Sequence, residues 1–441
     1  MSQPSGSASG RPTRKLAVVL LAAANGAQFR SRRPKALHEA GGRPLLGHAL
    51  ATVSGLAAPA DVFAVLGHQA ESVRQAFASA GIQFIEQSGQ GGVLHALQSA
   101  RKALAGFDQV LIVPCDLPLL RPETLERLLQ AHRKQRAAMT ILAASLTSGR
   151  KAAASASGVF AIQSQAMLRH LGKARNLAGL ADFLRAAGEP VAAVEPADPT
   201  EVRPAKNLAE LAALDTAIRA ATARRLMASG VTIFRPETCV FDAAVEVAPD
   251  TIIEPFVQLL GGTQIGSACR IRSYTVIENC TLGSDVLVRQ SCVMVESTVA
   301  DGARIGPFAH LRPGSEIGPE VHIGNFVETK KARLGKGAKA GHLSYLGDAV
   351  VGAGTNIGAG VITCNYDGEQ KHTTHIGQGV FVGSDSTLVA PVTIEDGAYI
   401  GAGSCITLSV PAGALAVARA HQVVKEGWVA ARRERRKQRC D

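Results

Sequence analysis

The fold is decided by residues 299–323, which read VADGARIGPFAHLRPGSEIGPEVHI, and by residues 376–406, which read IGQGVFVGSDSTLVAPVTIEDGAYIGAGSCI. In both stretches an aliphatic residue recurs at every sixth position, and a small residue usually follows it. In the two stretches these positions are Val299, Ile305, Leu311, Ile317 and Ile323, then Ile376, Val382, Leu388, Ile394, Ile400 and Ile406. Between them, Leu334, Ala340 and Leu346 keep the same spacing. Glycine follows at positions 306, 318, 324, 335, 341, 347, 377, 383 and 401.

A period of six fits neither an α-helix, which repeats every 3.6 residues, nor a flat strand, which repeats every two. It is typical of a solenoid in which each unit is one short strand and one corner. The aliphatic residue points inward, and the small residue lets the backbone turn where a larger side chain would clash. Successive coils then stack around one continuous core.

Composition sets the remaining bounds. A chain of 441 residues is too long for one ordinary core, so two or three domains are expected. The eight cysteines show no CxxC motif and no cluster of metal-ligand spacing, which argues against a disulfide or metal–thiolate framework and favours the cytosol. The net charge is +11, and residues 432–439 supply six positive charges that we interpret as a solvated tail.

The remaining basic surplus suits anionic small substrates. No nucleic acid or membrane partner is expected. The basic tail carries no specific signal for either partner, and no apolar run is long enough to span a bilayer. The basic residues before Leu16–Ala24 resemble the start of a signal peptide. We instead interpret this run as the first buried strand of an α/β domain, because a helix-like pattern continues directly after it.

Before the repeats, the chain alternates apolar runs with helical patterns. We expect a disordered tail over 1–14, an α/β domain with a doubly wound, mostly parallel sheet over 15–205 and a linking helix over 206–231. A β-rich domain follows over 232–428 and a basic tail over 429–441. The hexad phase breaks over 362–375, which predicts a loop that projects from the solenoid, and residues after Val410 are expected to lie beyond the last coil.

The sequence of the repeat region resembles that of a known family, the bacterial bifunctional N-acetylglucosamine-1-phosphate uridyltransferase/glucosamine-1-phosphate acetyltransferase. The resemblance is carried by IGPFAHLRPGSEIG, by VHIGNFVETKKARLGKGAKAGHLSYLGDA, by TNIGAGVITCNYDGEQK, by VFVGSDSTLVAPVTI and by VVKEGW. It implies a Rossmann-like nucleotidyltransferase domain followed by a left-handed parallel β-helix of hexapeptide repeats. It also implies a homotrimer with acyl-transfer sites between subunits, acting on glucosamine-1-phosphate with acetyl-CoA as cosubstrate.

Polar residues stand on the coils where the fold does not require them. An amine that attacks a thioester must lose a proton, and His342 is the natural base because histidine titrates near neutral pH. Arg312 and Lys330 offer charges for a sugar phosphate. The resemblance adds further substrate contacts at Tyr345, Asn356, Asn365, Tyr366 and Lys371, and acetyl-CoA contacts at Asn365, Tyr366, Ser384, Ala402 and Arg419.

The N-terminal half matches the same family less closely. Gly26, Lys35, Gln87 and Gly92 fall at nucleotide-binding positions, and Asp116 falls at a magnesium-binding position, which implies Mg²⁺ and UTP for this domain if it is active. The departures are Ala24 and Gln28 in the first loop, Val93, Lys206 at the second metal position and Ala156 at a sugar-contacting position. Arg30, Arg32 or Arg33 could replace the missing loop arginine, and Asn207 could replace the missing metal ligand.

These departures predict a domain that keeps the nucleotidyltransferase fold but has lost or weakened uridyl transfer. A divergent but working uridyltransferase is the alternative, and a different nucleotide or a regulatory ligand is a third reading. For the repeat domain, the expectation is glucosamine-1-phosphate N-acetyl transfer. The competing readings are a hexapeptide acyltransferase for another amino sugar and a non-catalytic trimerisation scaffold.

Overall fold

The computed structural model describes residues 15–24, 26–67, 69–87, 92–144, 155–172, 174 and 176–438. The tail expected over 1–14 and the segment 145–154 lie outside this range. The chain divides into two compact units, residues 1–222 and 223–441. Within the described residues, no helix is long and apolar enough to cross a membrane.

The first unit contains a seven-stranded sheet covered by helices on both faces. The strands are β1 Leu16–Ala22, β2 Val62–Leu66, β3 Gln83–Glu86, β4 Gln109–Pro114, β5 Met139–Ala144, β6 Ser155–Gln163 and β7 Val191–Val194. They occur in the spatial order β3-β2-β1-β4-β6-β5-β7, and all neighbours are parallel except β6, which is antiparallel to β4 and β5. The predicted doubly wound, mostly parallel sheet is confirmed.

Alternation along β1 explains the two layers. The helices are α1 Leu45–Val53, α2 Ala70–Ala76, α3 Gly92–Leu104, α4 Pro122–Lys134, α5 Ser164–His170, α6 Leu177–Ala186 and α7 Leu208–Ala228. Val18 and Leu20 pack with α1, α2 and α4 on one face, whereas Ala17 and Val19 pack with α3, α5 and α6 on the other. The run that resembled a signal peptide is therefore a buried central strand.

Helix α7 begins with a reciprocal cap. The Asn207 side chain accepts the Glu210 amide hydrogen at 2.9 Å, and the Glu210 carboxylate accepts the Lys206 amide hydrogen at 3.0 Å. The division between the two units falls inside this helix, which the sequence predicted as the linking helix over 206–231.

The second unit is a parallel β-helix, in agreement with the left-handed hexapeptide-repeat architecture that the resemblance implies. Each complete coil contributes one short strand to each of three parallel sheets. We call these sheets the first, second and third faces, and they contain 11, 10 and 9 strands. The first face is Thr232–Ile233, Ile252–Ile253, Arg270–Ile271, Leu287–Val288, Arg304–Ile305, His322–Asn325, Lys339–His342, Asn356–Ile357, Phe381–Val382, Tyr399–Ile400 and Leu415–Ala416.

The other two faces repeat the same pattern of short strands. The second face is Val240–Phe241, Gln258–Leu260, Val276–Glu278, Val293–Val295, His310–Leu311, Glu328–Lys330, Tyr345–Gly347, Ile362–Cys364, Thr387–Val389 and Cys405–Ile406. The third face is Glu246–Val247, Gln264–Ile265, Thr281–Leu282, Thr298–Val299, Glu316–Ile317, Arg333–Leu334, Ala349–Val351, Thr374–Ile376 and Val392–Ile394. The aliphatic residues of the hexad series are buried in one cluster, as predicted.

The sequence suggested that the glycines of the repeat let the backbone turn, but the structure gives another reason for their small size. Most of them do not turn the chain at positive φ. A Cβ added at Gly318 would lie 2.6 Å from the Leu334 carbonyl oxygen, and one at Gly383 would lie 2.5 Å from the Ala402 amide nitrogen. The next coil therefore leaves no room for a side chain at these positions.

Three boundaries differ from expectation. Ile362–Cys364 is a strand, because Thr363 points into the core, so the projecting loop covers only 365–373. The solenoid continues past Val410, because Leu415–Ala416 pairs with Tyr399–Ile400. The first part of the basic tail, for which the sequence predicted no regular structure, is helical.

That part of the tail is helix α8, Trp428–Lys437, whose described side chains are exposed. It contains no Gly or Pro and is rich in Ala and Arg, which are good helix formers. The Arg432 guanidinium also lies 5.0 Å from the centre of the Trp428 ring.

Coil spacing is testable with two glycines of one coil. A Cβ at Gly266 would lie 2.5 Å from the Gly283 carbonyl group, whereas one at Gly262 would lie 3.9 Å from the Asn279 side chain. We expect Gly266→Ala to lower the stability of the β-helix by about 1–3 kcal/mol, because backbone cannot move aside. Gly262→Ala, the matched control, should change it little. Thermal unfolding followed by circular dichroism measures both, and equal midpoints would contradict the packing argument.

Candidate functional site

His342 ends the first-face strand Lys339–His342 and is exposed at the corner that leads to the second face. Its Nδ1 contacts the Oδ1 of Asn325, which is its partner in the preceding coil. After a two-residue turn, Tyr345 begins the next second-face strand. The predicted base and the predicted substrate-contacting tyrosine therefore flank one corner of one coil.

Three of the residues expected to contact acetyl-CoA lie along the same corner. The register pairs Ala340 with Ile357, then Val382, then Ile400, so the residues two positions later also form a row. Ser384 and Ala402 occupy this row together with His342, at a spacing of about 4.8 Å per coil. Arg419 follows one coil later, its Cδ 3.8 Å from where a Cβ of Gly403 would lie. All three are exposed.

Three cations meet near the end of the second-face strands. Leu311 pairs with Thr329, so Arg312 and Lys330, the next residues, are neighbours in adjacent coils. Lys371 comes from the projecting loop and contacts Lys330. Its hydrogen bond with Lys330, and then its charge and that of Arg312, lower the pKa of Lys330. The Glu328 carboxylate accepts a hydrogen bond from Arg312 at 2.7 Å. This cluster suits a doubly charged phosphate group.

Tyr345 reaches toward this cluster because Gly347 has no side chain. A Cβ added at Gly347 would lie 2.4 Å from the Tyr345 hydroxyl oxygen. Gly347 in turn pairs with Lys330 in the preceding coil. The hydroxyl is therefore held next to the strand position that carries the cations.

The loop 365–373 is held by its own polar contacts. Asn365 is buried and donates to the Asp348 carboxylate, while Tyr366 and Lys371 form an antiparallel bridge. Asp367 accepts the amide hydrogens of Gln370 and Glu369, which hold its pKa well below its usual range. The loop therefore presents Lys371 from a defined hairpin rather than from an open segment.

Asn356 is not brought to this cluster. It lies on the first face, paired with Lys339, whereas Arg312 and Lys330 lie on the second face. Within one chain, the residues predicted for acetyl transfer therefore lie in separate places. The cations form a cluster at the end of the second-face strands, His342 shares a corner row with Ser384 and Ala402, and Asn356 lies on the first face.

The first unit has a cavity of about 330 Å³ that gathers most of its predicted site residues. Lys35, Gln87, Gly92 and Asp116 all line it. The Lys35 ammonium lies 2.5 Å from the Asp116 carboxylate, with both side chains largely buried. Gly26 has a φ of 61°, and a Cβ there would lie 3.1 Å from the Lys35 Cβ. Gly26 thus lies against Lys35 at the rim of the site.

The proposed replacements for missing family residues are not supported. Arg30, Arg32 and Arg33 are exposed, none of them lines the cavity, and Arg33 instead pairs with Glu39 at 2.5 Å. Asn207 uses its side chain to cap α7. Ala24 and Val93 do line the cavity, which makes its wall apolar at two of the departures. For Ala156, only the backbone, in β6, lies within the described part of the chain.

Asp116 is the carboxylate that this cavity offers to a cation. Over the described residues, no group of three or more His, Cys, Asp or Glu side chains could hold a metal. Magnesium commonly binds one or two carboxylates and completes its shell with substrate phosphates and water. The residues present fit that mode, with Asp116 as the protein ligand and phosphate oxygens as the main donors.

Three polar partners were missed by sequence reasoning: Asn325 beside His342, Glu328 beside Arg312 and Asp348 beside Asn365. Each stands about one coil away from its partner in the sequence. The hexad register could have revealed the first pair, since Asn325 and His342 occupy equivalent positions after Ile323 and Ala340.

Comparison with known proteins covers both units. The profile of the MobA-like NTP transferase domain matches residues 18–228, and that of the bacterial transferase hexapeptide (six repeats) matches residues 296–331 and 373–407. The chain is 47% identical to "Bifunctional protein GlmU" of Koribacter versatilis over 97% of this chain and 99% of that protein. It is 43% identical to proteins of the same name from Anaeromyxobacter sp. strain Fw109-5, over 95% of this chain and 93% of that one, and from Solibacter usitatus, over 95% and 98%.

Fold and comparisons together define a transferase that joins a nucleotidyltransferase domain to a hexapeptide acyltransferase domain. The relatives extend over both domains without a gap in coverage that would remove either one. The chain belongs to the family of the bifunctional GlmU proteins.

The contact between Lys330 and Lys371 can be tested by titration. Lys371→Met removes the neighbouring positive charge, so we expect the pKa of Lys330 to rise toward the ordinary lysine value. The ¹³C-NMR signals of reductively methylated lysines, assigned with Lys330→Arg, measure the change. Lys336→Met, which removes a lysine paired with Glu320, should leave the titration of Lys330 unaltered. An unchanged pKa in Lys371→Met would show that the loop does not reach the cluster.

Proposed function

We propose that the β-helix is a glucosamine-1-phosphate N-acetyltransferase that uses acetyl-CoA. The observation that carries this proposal is that His342 and Tyr345 flank one corner of one coil. Tyr345 lies next to the strand position that carries the Arg312–Lys330–Lys371 cluster, and His342 belongs to the corner row that contains Ser384 and Ala402. An anionic sugar held by the cation cluster and a thioester bound along the corner row would meet at the imidazole.

The reaction needs one proton transfer and one acyl transfer. The sugar amine attacks the thioester carbonyl carbon, His342 accepts the proton that the nitrogen loses, and the carbon–sulfur bond breaks to release the thiolate of CoA. The three cations hold the sugar phosphate and so orient the amine. Tyr345 and Tyr366 supply hydroxyl groups for the sugar or the developing oxyanion, and Asn365 braces the loop. Arg419 is suited to a phosphate of the coenzyme.

We also propose that the active form is a homotrimer. Asn356 lies away from the cation cluster within one chain, so a site that uses both needs a second copy. The corner beside His342 carries exposed apolar residues in successive coils: Phe308, Phe326 and Leu343, with the two phenyl rings stacked at 5.3 Å. Such a ladder is suited to contact with another subunit. A single-chain mass by light scattering would contradict this assembly.

For the first unit, we propose uridyl transfer from UTP to N-acetylglucosamine-1-phosphate. Family coverage of both units favours this bifunctional alternative over the lost activity that the departures suggested. Lys35 and Asp116 present a cation and a carboxylate at the wall of the 330 Å³ cavity, and Gln87 lines the same cavity. Magnesium, when bound, would neutralise charge on the triphosphate. Lys35 would bind phosphate oxygens, and the apolar wall around Ala24 and Val93 would exclude water.

The base is tested by His342→Ala. We expect acetyl transfer, followed as free thiol from acetyl-CoA with glucosamine-1-phosphate, to fall by about 10²–10⁴-fold. The fold should be kept, because this side chain is exposed. His375→Ala, on the exposed third face, is the matched control and should retain full activity. Near-normal turnover in His342→Ala would refute the assignment, and no thiol release by the unmodified protein would favour a scaffold.

Uridyl transfer is tested by pyrophosphate release from UTP, N-acetylglucosamine-1-phosphate and Mg²⁺. We expect release by the unmodified chain, a loss of about hundredfold or more in Asp116→Ala, and abolition by a chelator that leaves acetyl transfer intact. Asp182→Asn, on the exposed face of α6, serves as control. Background release beside brisk acetyl transfer would establish a monofunctional acetyltransferase.

A further inference from the structure

The coil that carries His342 and the coil before it have longer first-face strands than the other coils. Nine of its 11 strands are two residues long, whereas His322–Asn325 and Lys339–His342 are four residues long. The extra length extends the ladder to a last pair, Asn325 with His342. The strand pairing is therefore prolonged at the point where the candidate base stands.

The backbone around this pair is tightly held. A Cβ added at Gly324 would lie 1.8 Å from the Gly341 carbonyl oxygen, so the two coils approach too closely for any side chain there. The Leu343 amide donates to the Asn325 carbonyl oxygen at 3.0 Å. Contacts before and after His342 thus fix where its side chain starts.

The side chains complete the arrangement. The Oδ1 of Asn325 contacts the Nδ1 of His342, and a carboxamide oxygen can only accept a hydrogen bond. Nδ1 must therefore carry the hydrogen, which leaves the lone pair on Nε2. An imidazole held in this tautomer can take a proton only at Nε2.

We propose that Asn325 is a positioning residue for acetyl transfer: it selects the tautomer of His342 and aims Nε2 at the amine. This inference rests on the proposed role of His342 as the base. A neutral partner orients the ring without adding charge at the corner. The charged or titratable groups on the strands packed here are His322 and Lys339, and the pKa of His322 is lowered by burial and then by Arg289, Arg304, His342 and Lys339.

The experiment compares Asn325→Ala, Asn325→Asp and Gln290→Ala in the full chain. Gln290 occupies the equivalent corner position two coils before Asn325, so it controls for a corner substitution. The kcat and KM for both substrates are measured from pH 5.5 to 9.5, with circular dichroism to confirm the fold. The ratio of kcat to KM for glucosamine-1-phosphate gives the pH profile.

We expect Asn325→Ala to lower kcat about tenfold or more with KM little changed, because misoriented imidazole affects the proton transfer rather than binding. Asn325→Asp keeps an acceptor for Nδ1–H and so restores kcat at alkaline pH. Its carboxylate favours the protonated imidazole, so the acid limb of its profile should move to higher pH. Gln290→Ala should match the unmodified chain at every pH.

A merely structural role would lower activity in both Asn325 variants without moving the acid limb, and that result would overturn the proposal. So would an Asn325→Ala variant with unmodified kcat and pH profile in a chain whose His342→Ala variant is inactive. If His342→Ala itself retains turnover, the proposed base fails first, and the two failures are thus told apart.

Discussion

The close approach of successive coils is the constraint on which the β-helix depends. Parallel strands in one face stand about 4.8 Å apart, and every residue repeats its position at that interval. At Gly318, Gly324 and Gly383 the next coil lies so near that a Cβ would overlap its backbone. Bulkier residues stand instead where the corner opens outward, as at Phe308 and Phe326. Small and large residues alternate around each coil because the space available to them alternates.

The proposed acetyl-transfer site follows from the same spacing. Residues that are far apart in sequence become neighbours when they share a register position, which joins Asn325 to His342 and Arg312 to Lys330. The exception is Lys371, which reaches Lys330 from the loop that interrupts the repeat. A strictly regular solenoid would offer a flat wall of exposed side chains. The interruption adds a projecting hairpin, and the hairpin brings in the third cation of the cluster.

In the first unit, the candidate site residues lie instead at the carboxyl ends of the parallel strands, where such sheets bind their ligands. Lys35, Gln87 and Asp116 come from three separate strand-to-helix connections that meet there. The family's first-loop pattern is altered in this chain, yet the cavity and its charged pair are present. The cavity is thus formed despite the altered first loop, because its shape depends on the edge of the sheet more than on any single loop residue.

The sequence alone determined the repeat, the strands and helices of the α/β domain and most of the candidate site residues, because hydrophobic periodicity reports directly which residues face a core. It also placed Arg312, Lys330, His342 and Tyr345 on successive coils. It did not determine the partners of those residues, the helical state of 428–437, or the use of Asn207 as a cap. Only the tertiary structure decided these, because they depend on which atoms meet across coils and loops, and the sequence does not record the distances between them.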